Sequence, residues 1–164
     1  NGQLKTYDMI AQAVSRRGIP VQIIHSLLPK INAEIAKILN GVVGFVVELE
    51  ADLESNAMDI YINYGDSRRI IELGSGMEKM MSSLAIRVAL INVSALPRPN
   101  FIAIDEGWGS LDRDHISSVT NLFEYFRTKF DFSIIISHVE SMRDMVDNLI
   151  EVNKIENFSQ IQHT

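Results

Sequence analysis

Two adjacent carboxylates, Asp105 and Glu106, follow the apolar run 101–104 and precede a glycine-rich turn in the segment FIAIDEGWGSLD. A short apolar run bounded by turn residues predicts a strand buried on both faces, as at the centre of a parallel sheet. The two carboxylates would then lie at its carboxyl end, where open α/β sheets bind ligands. Neighbouring carboxylates with no basic residue beside them suit a hydrated metal ion and a general base. The alternative is a strand that merely ends in solvated acids.

A glycine-serine-glycine turn, made by Gly74, Ser75 and Gly76, leads straight into a segment of strong helix formers at 77–90. Such a turn presents unpaired backbone N–H groups and the positive end of a helix dipole, and both attract phosphate. The alternative is that Ser75 serves only as the N-cap of the helix.

His138 follows a second, mostly apolar segment, 132–137, which is also predicted to be a strand. Helical spacing of apolar residues predicts a helix over 113–130, between the two strands, and a short helix over 139–147. Two closing strands are expected at 149–152 and 158–161.

The N-terminal part of the chain predicts two helices and a meander. Apolar residues at helical spacing predict helices over 4–17 and over about 21–40. Gly18 and Pro20 would end the first helix, and Pro29 would start a new segment or kink the second. The period then changes to two, which predicts a small antiparallel meander. Its strands are expected at 45–49, 59–64 and 68–73.

The composition bounds the class of protein. A chain of 164 residues with 46% apolar and 22% charged residues suits one globular domain. A formal charge of −6 argues against a nucleic-acid binder over the whole surface, so any DNA contact must be a patch or come from other segments or subunits. The chain has no cysteine, no signal-peptide pattern and no apolar stretch long enough to cross a bilayer. We therefore expect no membrane partner and a cytoplasmic location.

The ordered set of motifs is rarer than any one of them: a Gly-Ser-Gly turn opening a helix, an apolar strand ending in Asp-Glu, Gly-Ser-Leu-Asp, and an apolar strand ending in Ser-His. In this order they resemble the C-terminal lobe of an ABC-type ATPase head, and most closely the SMC and SbcC type of DNA-repair ATPase, phage versions included. The resemblance covers nearly the whole chain. Residues 18–39, GIPVQIIHSLLPKINAEIAKIL, also look like the point where the returning coiled coil of an SbcC-like protein meets its head.

The resemblance implies an α/β fold with a mostly parallel central sheet flanked by helices. A small antiparallel meander would precede the signature helix. Residues 1–164 would form one domain, the C-terminal half of an ABC ATPase head. It would comprise a helical coiled-coil region at 1–40, the meander at 41–73 and the motif region at 74–164.

Within this resemblance, FIAIDE matches the Walker B strand and His138 the switch histidine. It implies that Asp105 holds Mg²⁺ through water and that Glu106 polarises the water that attacks the γ-phosphate of ATP. Such a reaction depends mainly on positioning and charge neutralisation. His138 would sense the γ-phosphate, which a neutral or a protonated imidazole can do.

GSGMEK at 74–79 matches the ABC signature, so Ser75, Gly76, Met77 and Glu78 are implied to bind ATP held by the opposite subunit. Met77 stands where the usual signature has its second glycine, and a side chain there could crowd a close approach of phosphate. GSLD at 109–112 matches the D-loop, where Ser110 and Asp112 would work across the same interface.

The phosphate-binding G-x-x-x-x-G-K-[ST] motif is absent from the chain. In the family it lies in an N-terminal lobe beyond the coiled coil, so this chain is expected to be half of a Mg²⁺-dependent ATPase. It would be a fragment or one part of a split protein, with Asn1 and Gly2 at a cut or junction, and inactive alone. The implied partners are the Walker A lobe, a second head in an ATP-dependent homodimer, a nuclease subunit, and DNA in the full complex.

Two other functions remain open from the sequence. One is the nucleotide-binding domain of an ABC transporter, disfavoured by the coiled-coil-like segment and the meander before the signature. The other is an interaction module of the same fold that hydrolyses nothing, disfavoured by the presence of both Asp105 and Glu106.

Overall fold

A computed structural model of the chain describes residues 19–52, 57–105, 107–110, 116–156 and 158–163. The helix predicted over 4–17 lies outside the described residues, as do Gly18, Glu106 and Asp112.

Helix α1, Ile19–Leu39, begins two residues before the predicted start and continues through Pro29. Its buried residues recur at helical spacing and form one apolar stripe. They are Leu28, Ile31, Ile35, Ile38 and Leu39. The helix ends before Gly41, whose φ of +74° lies in the left-handed region that glycine adopts most readily.

The predicted meander is confirmed as an antiparallel sheet in the order β1-β2-β3. Its strands are Val46–Ala51, Met58–Asn63 and Arg68–Ile70. Val47 and Leu49 of β1 and Ile62 of β2 are buried in the core. The third strand is shorter than predicted, because Ile71–Leu73 form a 3-10 turn and not a strand.

Side chains of α1 cover the outer edge of β1. Asn32 Nδ2 donates to the carbonyl of Leu49 at 3.0 Å, and Asn32 Oδ1 accepts from the N–H of Leu49 at 2.9 Å. Nearer the start of the helix, His25 Nε2 donates to the carbonyl of Ala51 at 3.0 Å. The helix therefore satisfies backbone groups that an edge strand would leave open.

Helix α2, Gly76–Val93, follows the Gly-Ser-Gly turn, as predicted. Its buried apolar face shares one core with α1 and the meander. That face consists of Met81, Leu84, Ala85, Val88 and Ala89. Near its C-terminal end, Asn92 Nδ2 donates to Glu34 of α1 at 3.2 Å and to Tyr125 at 3.3 Å.

Strands β4, Phe101–Asp105, and β5, Phe132–Ile136, form a parallel pair. They are joined through helix α3, Ile116–Lys129. Val119, Leu122, Phe123 and Phe126 of α3 are buried, as the sequence predicts. This pair is the parallel sheet among the described residues, and it is narrower than the expected central sheet.

The expectation that both strands are buried on both faces is wrong for this chain. The register pairs Phe101 with Phe132, Ala103 with Ile134 and Asp105 with Ile136, and all six side chains are exposed. Residues of the opposite face, such as Ile104 and Ile135, are buried or half-buried, and α3 contacts β5. One face of the parallel pair is thus packed, and the other is open and mostly apolar.

The last elements differ in detail from the prediction. A 3-10 helix, Glu140–Met145, stands where a short α-helix is expected. Strands β6, Ile150–Ile155, and β7, Phe158–His163, form an antiparallel hairpin of their own. Within the part of the chain that the structure describes, none of the helices has the length and apolar character needed to cross a bilayer.

Replacing Asn32 by alanine should lower the free energy of unfolding by about 1–3 kcal/mol, because it leaves the N–H and C=O of Leu49 without their partner. Urea unfolding followed by the fluorescence of Trp108, the single tryptophan, would measure this. Asn121→Ala is the matched control, since Asn121 makes one exposed hydrogen bond to Gly41. It should change the free energy by less than about 0.5 kcal/mol. Equal losses in the two variants would contradict this account of the β1 edge.

Candidate functional site

Ser75 lies at the N-cap of α2 with an extended backbone, at φ −64° and ψ 166°. Its Oγ accepts from the N–H of Glu78 at 3.2 Å, and Glu78 Oε2 accepts from the N–H of Ser75 at 2.6 Å. These two reciprocal bonds form a capping box. Ser75 and Gly76 are themselves exposed, so the fixed turn presents the start of the helix to solvent.

Gly74 is required at its position by close contacts and not by its backbone angles, since its φ is −72°. A Cβ there would lie 2.9 Å from the backbone oxygen of Ile71 and 3.0 Å from Cδ1 of Ile62. Any larger residue would push the turn away from the meander. The glycine therefore allows the turn to lie directly against β2.

Glu78 is 3% exposed, and its carboxylate is bound within the chain. Its Oε1 accepts from Arg69 Nη2 at 2.6 Å and from the Tyr64 hydroxyl. Burial by itself would raise the pKa of Glu78, but the hydrogen bonds from Tyr64, the Ser75 backbone and Arg69 outweigh it and lower the pKa to about 2. Glu78 is therefore ionised at neutral pH, and it faces the meander.

Met77 occupies the position at which a side chain could crowd a phosphate. In the structure the Met77 side chain is half-buried and packs against the hydrophobic core. Its bulk therefore lies largely inside the protein, beside the exposed Gly76.

Asp105 and His138 belong to the same edge of the parallel pair. Asp105 ends β4 and is paired with Ile136, the last residue of β5, and His138 follows two residues later. Both residues are exposed. Since parallel strands end at the same edge of a sheet, the register puts Asp105 and the segment that leads to His138 at one edge.

The turn after the Asp-Glu pair is anchored by Trp108. The indole is 1% exposed and meets the Phe123 ring edge-on, with centroids 5.4 Å apart. Gly107, just before it, has a φ of +99°, and a Cβ at this position would lie 3.6 Å from Cγ of Met80 on α2. The turn therefore lies against α2, the helix that Ser75 caps. Ser110 ends the 3-10 turn Trp108–Ser110.

The described residues offer a magnesium ion one exposed carboxylate at this edge, that of Asp105. Among the described residues, no three His, Asp or Glu side chains come together as a metal cage. Mg²⁺ usually keeps several waters and is bound through one or two carboxylates plus substrate phosphates. Asp105, exposed at a strand end, is a carboxylate of that kind.

Tyr64 and Arg69 also belong to this site, although the sequence patterns do not single them out. The available signals are the Ser-x-x-Glu spacing of Ser75 and Glu78, which is typical of a capping box, and the basic pair at 68–69. Neither signal tells which meander residue reaches the carboxylate.

No protein-family profile matches the chain. Three relatives are similar in sequence. An uncharacterised protein of Acanthamoeba polyphaga mimivirus is 31% identical over 97% of this chain and 13% of its own length. A probable DNA double-strand break repair Rad50 ATPase of Aquifex aeolicus is 28% identical over 72% of this chain and 12% of its own length. The SbcC component of the nuclease SbcCD of Deinococcus radiodurans is 31% identical over 56% of this chain. The chain thus spans only a small part of each relative, 10% in the case of the SbcCD protein.

Solved structures share the fold. A chain from a study of ATP-driven dimerisation and DNA-stimulated activation of SMC ATPases superposes with a TM-score of 0.72 and 20% identity, covering 88% of this chain and 89% of that one. An Smc head bound to the C-terminal winged-helix domain of ScpA gives a TM-score of 0.68 with 21% identity, over 87% of this chain and 45% of that one. The SMC head of Thermotoga maritima gives 0.59 with 20% identity, over 88% and 51%. The chain is thus similar in sequence to a part of a Rad50 ATPase and to a part of an SbcC protein, and it shares the fold of SMC ATPase heads.

Proposed function

We propose that the chain forms one wall of a shared ATP site, and that a Walker A lobe from elsewhere in the protein or from another chain forms the other wall. The observation that carries the proposal is the parallel pair β4–β5. Asp105 ends β4 and His138 follows β5 at the same edge, and the same pair has a mostly apolar face that is exposed. A sheet with one exposed apolar face, and with some of the expected site residues at its edge, suits a lobe that needs a second lobe to form the complete ATP site.

The open face is too apolar for a surface that remains in water. Its large apolar side chains are exposed: Phe101 (45%), Phe132 (51%), Ile134 (46%) and Ile136 (50%). Parallel strands are normally covered on both faces, and contiguous apolar patches mark interaction sites. The rings of Phe101 and Phe132 stack at a centroid distance of 5.2 Å, so they form one continuous apolar surface across the two strands. These features support docking of the Walker A lobe here.

The roles of the acidic and imidazole groups follow from the resemblance and suit their positions. Asp105 would hold Mg²⁺ through water, and bound Mg²⁺ neutralises charge on the phosphates. Glu106, next in sequence, would polarise the attacking water as general base. His138, at the neighbouring strand end, would contact the γ-phosphate of the same nucleotide.

The signature turn would act on the nucleotide of the opposite head. Ser75 and Gly76 would donate to its γ-phosphate from an exposed helix N-terminus, where backbone N–H groups and the helix dipole favour an anion. Glu78, whose carboxylate is buried, would contribute through Ser75. Ser110 and Asp112 would work across the same interface.

The assembly would be an ATP-dependent dimer of heads that acts on DNA in the cytoplasm, together with a nuclease subunit. The relatives named for double-strand break repair and for the SbcCD nuclease support this assignment. They favour it over a transporter or a module that hydrolyses nothing. The chain alone would bind ATP weakly and hydrolyse none, because it lacks the Walker A motif.

Replacing Glu106 by glutamine should lower kcat of the full-length protein about 100-fold or more, since it removes the general base and keeps the side-chain size. ATP binding and ATP-driven dimerisation should persist. Steady-state ATPase assays would test this, with Glu124→Gln as matched control because Glu124 is exposed on α3 and pairs with Arg127. Unchanged turnover in Glu106→Gln would remove Glu106 from the mechanism.

Replacing Ser75 by arginine should abolish ATP-driven dimerisation of the full-length protein and leave the lobe folded, because residue 75 is an exposed turn residue. Light scattering in the presence of ATP would measure the dimerisation. Ser94→Arg, an exposed position at the other end of α2, is the matched control and should dimerise normally. Normal dimerisation of Ser75→Arg would exclude the turn from the shared site.

A further inference from the structure

We propose that Arg69 and Tyr64, on the meander, are positioning residues for Ser75, which they hold through the carboxylate of Glu78. This inference rests on the proposed function, in which Ser75 contacts ATP bound by the opposite head. It assigns to the meander a direct part in the geometry of the signature turn.

The two oxygens of the Glu78 carboxylate bond to different elements, one to the meander and the other to the signature turn. Oε1 accepts from Arg69 Nη2 at 2.6 Å and from the Tyr64 hydroxyl, and Oε2 accepts from the N–H of Ser75 at 2.6 Å. The two oxygens belong to one rigid planar group, so fixing Oε1 from the meander also fixes the direction of Oε2. The backbone of Ser75 is therefore located relative to β2 and β3 as well as to its own helix.

The turn needs this support because glycines flank Ser75 on both sides. Gly74 and Gly76 give the backbone more conformational freedom than any other residue would. A serine between two glycines would sample many positions, while a γ-phosphate contact requires one. The bonds from Glu78 restrict that freedom without any side chain blocking the exposed surface of the turn.

The hydrogen bonds that hold Glu78 are strong because its carboxylate is charged. Glu78 is buried, so its negative charge depends on Arg69 and on the donors around it. Tyr64 remains a donor at all ordinary pH values, since burial and the hydrogen bond to Glu78 raise the pKa of its hydroxyl to about 12. Its ring is braced by Phe45, at a centroid distance of 5.5 Å, and lies beneath the Arg69 guanidinium, 5.5 Å away.

Arg68 is the internal comparison, because it precedes Arg69 on the same strand and bonds elsewhere. Its Nη2 donates to Glu50 at 2.5 Å, its Nε lies 3.3 Å from Glu48, and its guanidinium stacks over the Tyr61 ring at 3.8 Å. All of these partners lie on β1 and β2 and none is in the signature turn. Arg68 therefore carries the same charge on the same strand, without the link to Ser75.

The test uses the full-length protein with a non-hydrolysable ATP analogue, and it measures dimerisation by light scattering over a range of protein concentrations. Arg69→Met should raise the concentration for half-maximal dimerisation about tenfold or more, the size expected for losing a charged hydrogen bond. Binding of a fluorescent ATP analogue to the individual heads should be unchanged. Arg68→Met should leave dimerisation as in the wild type, even where both variants lose some thermal stability.

Two further measurements separate positioning from a general loss of stability. Arg69→Lys keeps the charge and one donor, so it should restore part of the dimerisation that Arg69→Met loses. The double variant Arg69→Met with Glu78→Gln should dimerise no worse than the more impaired of the two single variants. Both substitutions act through the same carboxylate, so their effects should not add. Where Arg69→Met does not fold, Tyr64→Phe provides the same test, since it removes one donor to Oε1 and keeps the ring.

The outcomes separate this inference from the proposed function. Equal dimerisation of Arg69→Met and Arg68→Met, or additive effects in the double variant, would overturn the positioning role and leave the shared ATP site intact. A wild-type protein that does not dimerise with the analogue would instead overturn the proposed function.

Discussion

Packing of one face of α2 is the constraint on which the rest of the structure depends. Small residues, Ala85 and Ala89, alternate on that face with Leu84 and Val88, and all are buried in the core that also contains α1 and the meander. Polar contacts secure both ends of the helix. Glu78 is bonded to the meander at the start, and Asn92 bonds to Glu34 and Tyr125 near the end. The helix is thus bonded to neighbouring elements at both ends, and Met80 on the same helix contacts the turn at Gly107.

The sequence predicts the helices and strands around the candidate site better than it predicts how deeply they are buried. The period of two at 45–73 indicates the meander, and Gly-Ser-Gly before strong helix formers indicates the start of α2. Apolar runs ending at Asp105 and near His138 indicate the parallel pair. These are local patterns, so the residues themselves contain the signal.

Other features depend on contacts between distant parts of the chain. The open face of β4–β5 is mostly apolar like its packed face, and nothing in the residues at 101–105 tells which of the two faces the described helices leave exposed. Pro29 lies within α1 although its type predicts a kink or a break, and the run 68–73 turns into a 3-10 helix where the chain approaches Gly74. The bond between Arg69 and Glu78 joins residues nine positions apart through a turn, which periodicity does not reveal. The roles of Glu106 and Asp112 rest on the sequence, since both lie outside the described residues.

Two incomplete features of the chain combine into one functional unit under the proposed function. An exposed helix N-terminus fixed by a buried carboxylate is suited to reach outward to a phosphate. An open apolar sheet face beside Asp105 and His138 is suited to receive another lobe. In a dimer of completed heads, the helix N-terminus at Ser75 would contact the nucleotide of the partner head. The sheet edge with Asp105 and His138 would contact the nucleotide of its own head.

A structure of the full-length protein with Mg²⁺ and a non-hydrolysable ATP analogue tests this claim most directly. We predict that Ser75 Oγ and the N–H of Gly76 lie at about 3 Å, hydrogen-bond distance, from the γ-phosphate bound by the other head. We also predict that Asp105 and His138 face the phosphates of their own head. A nucleotide bound with Ser75 left in solvent, or far from the ends of β4 and β5, would contradict the claim.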